Sequence, residues 1–538
     1  MKSARIEEIG NFDVVIIGAG IAGLYLIHRF RELGCTLKVF ETGNDLGGTW
    51  FWNRYPGARF DSESYSYGYS WSKELLDEWE WSEHFAAQPE TLKYLNFVAD
   101  KFDLRKDIIF NSRVMSCVYD VQANIWHVRT NDGRKVSARF VIYATGVLSE
   151  PYTPDFSGRE SYRGLSWHTS DWPAYPVDLS KKNVAVIGTG ATAVQMITEI
   201  SKNVGQLTVF QRTANYCKPL RNGPISPNEQ SVIKSKYEEV FEKCKNSAGG
   251  FIHDFDERSA FDVSDEKRSQ FYEKKWKEKG FGFWLGNFSD IMTDEKANET
   301  AAEFARDKIR AQVNDPLIAD ILTPTDHPFG SKRVPLESGY YRSYNRDNVK
   351  LVNLKKTPIE YFTKEGIRTS TDDYEFDVII FATGFDAVTG ALDKIDIRGT
   401  DGLSLRNKWK DGPRTFLGLT TVGFPNMFIS GGPHNAASFC NVPRCLEYNV
   451  EWITDCIKYL RKNGYSKLQA TPEAESAWTE HVLEGAESTL FTNANSWFMG
   501  SNIPGKKRQF LNYIGGIPAF QAHCEKVVSE KYVAFDLE

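Results

Sequence analysis

The 538-residue sequence lacks long apolar runs, Cys-x-x-Cys pairs and a strong excess of either charge. Its longest apolar stretch, Val14 to Ile27, contains three glycines. It falls short of the ~18 residues a membrane-spanning helix needs. Acidic Glu7, Glu8 and Asp13 precede it and no small-residue cleavage site follows, so it is not expected to be a signal-peptide core. The eight cysteines (Cys35, Cys117, Cys217, Cys244, Cys440, Cys445, Cys456, Cys524) include no Cys-x-x-Cys pair. This argues against a disulfide scaffold, a zinc site or a dithiol redox centre. Lys and Arg number 65 against 71 Asp and Glu, for a net charge of −6. That balance calls for no nucleic acid and supplies no polybasic membrane tail. Low-complexity segments are absent, and Phe535–Glu538 carries no lipidation or retrieval signal. The expectation is a soluble, cytoplasmic protein, monomeric or weakly self-associating, with no metal, nucleic-acid or membrane partner.

Against these absences stand 41% hydrophobic residues, enough for sizeable cores, and an abundance of rings: 14 Trp, 24 Tyr and 35 Phe. So many rings suggest an aromatic-lined pocket. At roughly 150 residues per domain the length accommodates about three domains.

Two segments share one pattern. Asp13 to Ile17 is a β-branched run that ends in Gly18-x-Gly20-x-x-Gly23 and continues as an apolar helix to Arg31, with a second strand from Thr36 to Phe40. Asn183 to Ile187 ends in Gly188-Thr189-Gly190-Ala191-Thr192-Ala193, continues as a helix through Ile200, and is followed by a strand from Gln206 to Gln211. In such a turn the first glycine makes the bend, the second lets backbone approach a pyrophosphate, and the third packs helix on strand. The helix N-terminus then faces the phosphates. The second strand of the first unit closes on Glu41, 23 residues after Gly18, where an acid accepts ribose hydroxyls. The matching residue of the second unit is Arg212, which suits a 2′-phosphate. The contrast predicts FAD in the first unit and NADPH in the second, with hydride passing from nicotinamide to flavin. With no paired cysteines to accept the electrons, molecular oxygen is the simplest acceptor.

Phe140 to Gly146 and Asp377 to Gly384 both end in Ala-Thr-Gly. Between the second glycine unit and the second of these, residues 222–328 are charged at helical spacing, as in Val232 to Lys245 and Asp294 to Val313. Pro443 to Asn463 is also helical in pattern. The predicted fold is α/β: two Rossmann-like dinucleotide-binding domains, the second nested in the first, with a helical insertion. The divisions are 1–150 and 384–538 for FAD, 151–221 and 329–383 for NADP, and 222–328 for the insertion. Hinges fall near Gly146 to Pro151 and near Gly384.

Four motifs carry a resemblance. Tyr162-x-Gly164-x-x-x-His168-Thr169-x-x-Trp172-Pro173 is similar to the fingerprint of type I Baeyer–Villiger monooxygenases, with Tyr162 where phenylalanine is usual. Gly47-Gly48-x-Trp50, Tyr55-Pro56-Gly57 and Asp61 form the second. Gly330-Ser331-Lys332-Arg333, then Gly339-Tyr340-Tyr341 and Asn345 to Val349, form the third. Ser496-Trp497-x-x-Gly500-x-Asn502-x-Pro504-Gly505-Lys506 is the fourth. The chain looks closest to the cyclohexanone and phenylacetone monooxygenase group.

The resemblance implies an enzyme that uses NADPH and O2 to convert cyclic or aryl/alkyl ketones to lactones or esters through a flavin C4a-peroxide, with sulfoxidation alongside. It assigns Arg333 to the peroxide and the oxyanion, with Asp61 orienting it beside the flavin. Lys332 would join Arg212 at the 2′-phosphate, next to Thr213. Thr49 and Trp50 would lie along FAD, Tyr67 near the flavin, and Val114 at the adenine. Trp497 would hold the nicotinamide half. Ser438, Phe439 and Cys440 would border the ketone pocket. His434 would donate a hydrogen bond or satisfy its own loop, and the aromatic run Phe281 to Trp284 lines the same pocket or only the insertion's core, with core the favoured reading. His168, near the domain boundary, is read as a hinge residue and not as a catalytic one. The alternatives are a flavin monooxygenase for amines and sulfides, and a non-catalytic flavin- and NADP-binding redox sensor.

Overall fold

The computed structural model describes residues 7–538, apart from the side chain of Ser438. The strand Glu7–Ile17 lies centrally in an eight-stranded sheet, and its buried half, Val14 to Ile17, is the β-branched run. Parallel neighbours are Leu37–Phe40 on one side and Arg134–Tyr143 on the other. Val114–Asp120 and Ile125–Thr130 extend the sheet as an antiparallel meander. Asp396–Arg398 and Met427–Ile429 join it from the far end of the chain. Leu165–His168, Asn183–Ile187, Gln206–Gln211, Val349–Asn353 and Val378–Phe381 form a separate five-stranded parallel sheet. The second dinucleotide unit is thus nested within the first, as expected.

The repeated Ala-Thr-Gly endings have a packing role. A Cβ added at Gly18 would lie 2.5 Å from the Ala144 carbonyl oxygen, and one at Gly188 would lie 2.4 Å from that of Ala382. Both glycines have positive φ, +106° and +111°. Each phosphate turn therefore passes against the end of the neighbouring strand at a distance only glycine permits.

Between 222 and 328 the ordered elements are helical: Pro227–Ser235, Tyr237–Asn246, Asp265–Lys277, Gly282–Leu285, Glu295–Arg310 and Pro316–Leu322. The expected helix over 232–245 is broken at Lys236, where φ −118° and ψ 12° leave the helical region. Asp294 caps Glu295–Arg310 by accepting from the Ala297 N–H at 2.8 Å. Val442–Asn463 is the longest helix, with Pro443 in its first turn and Gly464 at φ +77° ending it. Its buried Val450, Ile453, Ile457 and Leu460 make one apolar stripe, and Tyr25 of the first glycine-turn helix donates to Glu451 at 3.0 Å.

The two connections between the sheets run side by side. The N–H groups of Val388 and Asp386 donate to the carbonyls of Val147 and Glu150, and that of Tyr152 donates to Gly384. His168 is 8% exposed, with Nδ1 at 2.7 Å from Ser170 Oγ and Nε2 at 3.0 Å from the Gly384 carbonyl. Burial lowers its imidazole to about 4. It is a neutral tie at this crossing.

Candidate active site

The first glycine turn meets the Gly47-Gly48 loop. The Gly47 N–H donates to Ala19 O at 3.0 Å, and a Cβ at Gly48 would stand 2.9 Å from Gly20 Cα. Glu41 is 5% exposed, and its oxygens accept from the Ala19 N–H at 2.8 Å and the Gly43 N–H at 2.7 Å. Burial raises its carboxyl above the ordinary value and these N–H groups oppose the rise. Each oxygen retains a second lone pair, so the carboxylate fits a ribose as well. Ser112 donates its N–H to Glu41 O, which brings the start of the Val114 strand beside the acid. Thr49 and Trp50 open the short helix Thr49–Trp52. Trp50 Nε1 donates to Tyr67 OH at 3.2 Å, and Phe60 stacks on Tyr67 at 4.3 Å. The glycine turn, the Gly47-Gly48 loop and the Glu41 carboxylate lie together, and this set of donors and acceptors fits the adenosine diphosphate half of FAD.

In the second unit the helix Ala191–Ile200 starts directly after Gly190, so Ala191, Thr192 and Ala193 present its first N–H groups. Thr189 Oγ1 donates to the Thr213 carbonyl at 2.7 Å, which ties the turn to the loop after Arg212. Arg212 is exposed. Burial lowers the Lys332 ammonium below its ordinary value; Asp326 counters this, and the neighbouring Arg212 and Lys355 charges lower it further. Lys355 Nζ lies 2.6 Å from Asp326 Oδ2, and His327 Nδ1 lies 2.7 Å from Asp326 Oδ1. A dianion fits this crowded cationic group, because it would relieve the mutual repulsion. Lys355 was not legible beforehand: it belongs to a different strand turn and to no motif.

Arg333 and Asp61 come together across 272 positions of sequence. Arg333 Nη2 lies 2.9 Å from Asp61 Oδ2; the Asp61 side chain is 2% exposed and that of Arg333 34%. The contact is an ion pair without hydrogen-bond alignment, and Arg333 Nη1 is buried without a hydrogen-bond partner among the described residues. Gln195, from the helix of the second unit, donates to Asp61 Oδ1 at 3.4 Å and to the Arg59 carbonyl at 3.0 Å, and accepts from Tyr55 OH at 2.9 Å. Burial pushes the Tyr55 phenol up to about 12. Gln195 was missed because nothing local marks it; it acts through the docking of one unit on the other.

Arg333 Cζ sits 5.7 Å from the Phe281 ring centroid, and Trp284 packs edge-on to Phe439 at 5.7 Å. Phe281 and Trp284 are core rings that also border this region. Both rings are buried, at 3% and 4% exposed, and both also face the Arg333 and Phe439 region. A pocket wall can be both. Phe439 further meets Phe491 and Phe498. The reading of the cysteines as unpaired fails: Cys440 and Cys445 form a disulfide, because the pocket loop folds back onto the first turn of Val442–Asn463. The other six cysteines are free and buried. The Ser438 side chain lies outside the described residues. His434 is fully buried; Nδ1 lies 3.3 Å from Thr415 Oγ1 and Nε2 lies 3.2 Å from Gln509 Nε2. Burial lowers it to about 3, so it is a neutral tie within the loop. Trp497 packs on Phe498 and, like Val147, against the cluster of Ala387, Val388 and Leu511 beside the crossing. No hydrogen bond or ring contact joins it to Arg212 or Lys332 among the described residues. Those residues also contain no cluster of three or more His, Cys, Asp or Glu suited to a metal, and no helix long and apolar enough to cross a membrane.

Comparison with known proteins bears on this geometry. Residues 15–276 match the pyridine nucleotide-disulphide oxidoreductase family. The chain is 43% identical to 2-oxo-Δ3-4,5,5-trimethylcyclopentenylacetyl-CoA monooxygenase of Pseudomonas putida, over 98% of each chain. It is 42% identical to a Baeyer–Villiger monooxygenase of Pseudooceanicola batsensis, over 99% of this chain and 98% of that one. A crystal structure of OTEMO in complex with FAD and NADP superimposes with a TM-score of 0.96 at 44% identity, covering 98% of this chain and 99% of that one. With such identity sustained along nearly its whole length, this chain belongs to the family of FAD- and NADP-linked Baeyer–Villiger monooxygenases.

Proposed function

We propose that this chain inserts one atom of O2 beside the carbonyl of a ketone, consuming NADPH and a proton and yielding an ester or lactone, water and NADP+. A cyclic ketone is the favoured substrate, in line with the cyclopentenyl ketone named for the Pseudomonas relative. The observation that carries the reading is Arg333: paired with a buried Asp61, yet with Nη1 buried and its hydrogen-bonding capacity unspent.

FAD, when bound in the first unit, supplies the transfer of electrons from NADPH to O2. The protein's own residues do the rest. Gly18, Gly20, Gly23 and Glu41 would hold the adenosine diphosphate half, with Val114 at the adenine, Thr49 and Trp50 along the cofactor and Tyr67 near the flavin. Gly188 to Ala193 face the NADP pyrophosphate, while Arg212, Thr213, Lys332 and Lys355 gather at the 2′-phosphate. Guanidinium remains protonated even when buried, so Arg333 presents a permanent positive charge. The Asp61 carboxylate fixes one side of it, and the exposed part of the guanidinium would face the negative charge that develops on the ketone oxygen. Phe281, Trp284 and Phe439 wall the region with rings and exclude water. Trp497, at the crossing of the two units, is placed to follow their relative motion. Phe439 and Cys440 border the ketone.

The test supplies the enzyme with NADPH, labelled O2 and panels of cyclic ketones, tertiary amines and sulfides. Labelled lactone from ketones is the expected product. Turnover of amines with none of any ketone would replace this reading with an amine- and sulfide-directed flavin monooxygenase.

A further inference from the structure

Phe281, whose ring faces Arg333, is held by charged groups that the reaction leaves unused. Gly280 precedes it at φ +62°, and a Cβ there would lie 2.4 Å from Glu63 Oε1 and 3.2 Å from His253 Nε2. Glu63 follows Asp61 by two residues. Its side chain is 2% exposed, Oε1 lies 2.8 Å from His253 Nε2, and Oε2 is buried without a hydrogen-bond partner among the described residues. Lys218 is 1% exposed, and its Nζ donates to the Glu278 carbonyl. The Gly280 N–H donates to Leu220 O at 3.3 Å. Lys218 and Pro219 pair in register with Leu336 and Glu337, just beyond Arg333, and the Lys218 N–H donates to Pro335 O.

The segment 278–281 is thus gripped from three sides. Glu63 comes from the FAD-side segment, His253 from the helical insertion, and Lys218 from the strand bonded to the chain that follows Arg333. A carboxylate buried to this degree pays a heavy desolvation cost unless a partner offsets it. Here the partner is the imidazole that packs over Gly280.

We propose that Glu63 and His253, together with Lys218, are positioning residues that clamp Gly280 and thereby hold the Phe281 ring against Arg333. They touch neither ketone nor cofactor and act through Phe281. The inference rests on Arg333 acting at the ketone, and its test separates the two ideas.

The FAD-loaded enzyme is compared with His253→Phe, which removes the imidazole donor, and with His253→Gln, which restores an N–H. Hydrogen exchange of residues 278–284 is measured on the resting enzyme, and hydrogen peroxide released per ester formed is measured in turnover. In His253→Phe, exchange in this segment quickens and ester formation falls about tenfold, the scale expected for a small misplacement of a catalytic group. Peroxide release rises, while flavin reduction by NADPH and FAD content hold. His253→Gln recovers both exchange and coupling. Unchanged exchange overturns the clamp. Faster exchange with unchanged coupling overturns its link to Arg333, and failure of His253→Gln to rescue overturns the role of the donor. If His253→Phe does not fold, Glu63→Gln is read by the same measurements.

Discussion

Replacing Asp61 by Asn and Arg333 by Ala, singly and together, tests whether the two act as one unit. Arg333→Ala removes the group that meets the oxyanion, and loss of such a donor costs about 10²–10³ in rate. Asp61→Asn leaves Arg333 in place but frees it from a carboxylate 2.9 Å away. An ion pair with one buried and one third-exposed partner and no hydrogen-bond alignment is worth about 1–2 kcal/mol in holding that group, roughly five- to thirtyfold in ketone oxygenation. If Asp61 works only through Arg333, the double variant is no slower than Arg333→Ala alone. Stability should show the same order. Arg333→Ala strands a carboxylate that is 2% exposed, at about 3–5 kcal/mol, which for a chain of this length is about 3–4 °C in Tm. Asp61→Asn leaves a guanidinium 34% exposed that water can solvate, and costs less. Product formation and peroxide release are followed at saturating NADPH, with flavin reduction measured separately by stopped flow. A double variant whose loss equals the product of the two single losses refutes the coupled role of Asp61.

Arg212→Ala should raise KM for NADPH about ten- to hundredfold while leaving kcat at saturation within about twofold, since Lys332 and Lys355 retain part of the 2′-phosphate attraction; steady-state kinetics with NADPH and NADH decide it. Burial, with the Arg221 charge adding to it, lowers Lys218 from 10.5 to about 7. The folded chain therefore binds fewer protons than the unfolded one between those values. The penalty is greatest below about pH 7 and is relieved as pH rises, at about 1.4 kcal/mol per unit, or about 1 °C in Tm. Lys218→Met should remove this slope, so that the Tm difference from the parent changes between pH 7 and 9; a constant difference refutes it. Gly18→Ala places a Cβ 2.5 Å from Ala144 O at φ +106° and should purify with much less bound FAD, read from the flavin-to-protein absorbance ratio. A variant with full FAD content refutes the close approach.

What sequence alone determined about this protein is what lies within short stretches of chain. Gly18 and Gly188 are legible because strand, turn and helix follow one another directly, and the bend must use a residue that tolerates positive φ. The Glu41 and Arg212 contrast is local for the same reason: each ends the strand after its own helix. The helical nature of 222–328 followed from spacing, although the break at Lys236 did not, since one residue leaving the helical region alters no periodicity. Cys440 and Cys445 were read as unpaired because spacing says nothing about a loop reversing onto the next helix. Tertiary structure alone decided which distant groups share a charge environment. Asp61, Gln195 and Arg333 meet only when the nested unit docks on the first. Pairing of the parallel strands Gln206–Gln211 and Val349–Asn353 brings the turn after Arg212 beside that of Lys355, both charges act on Lys332, and Glu63 finds His253 across 190 positions. Electrostatic pairing depends on distance in space and on burial, and neither is written in the order of residues. For that reason the sequence leaves Phe281 open between core and pocket, and only the fold sets its ring beside Arg333.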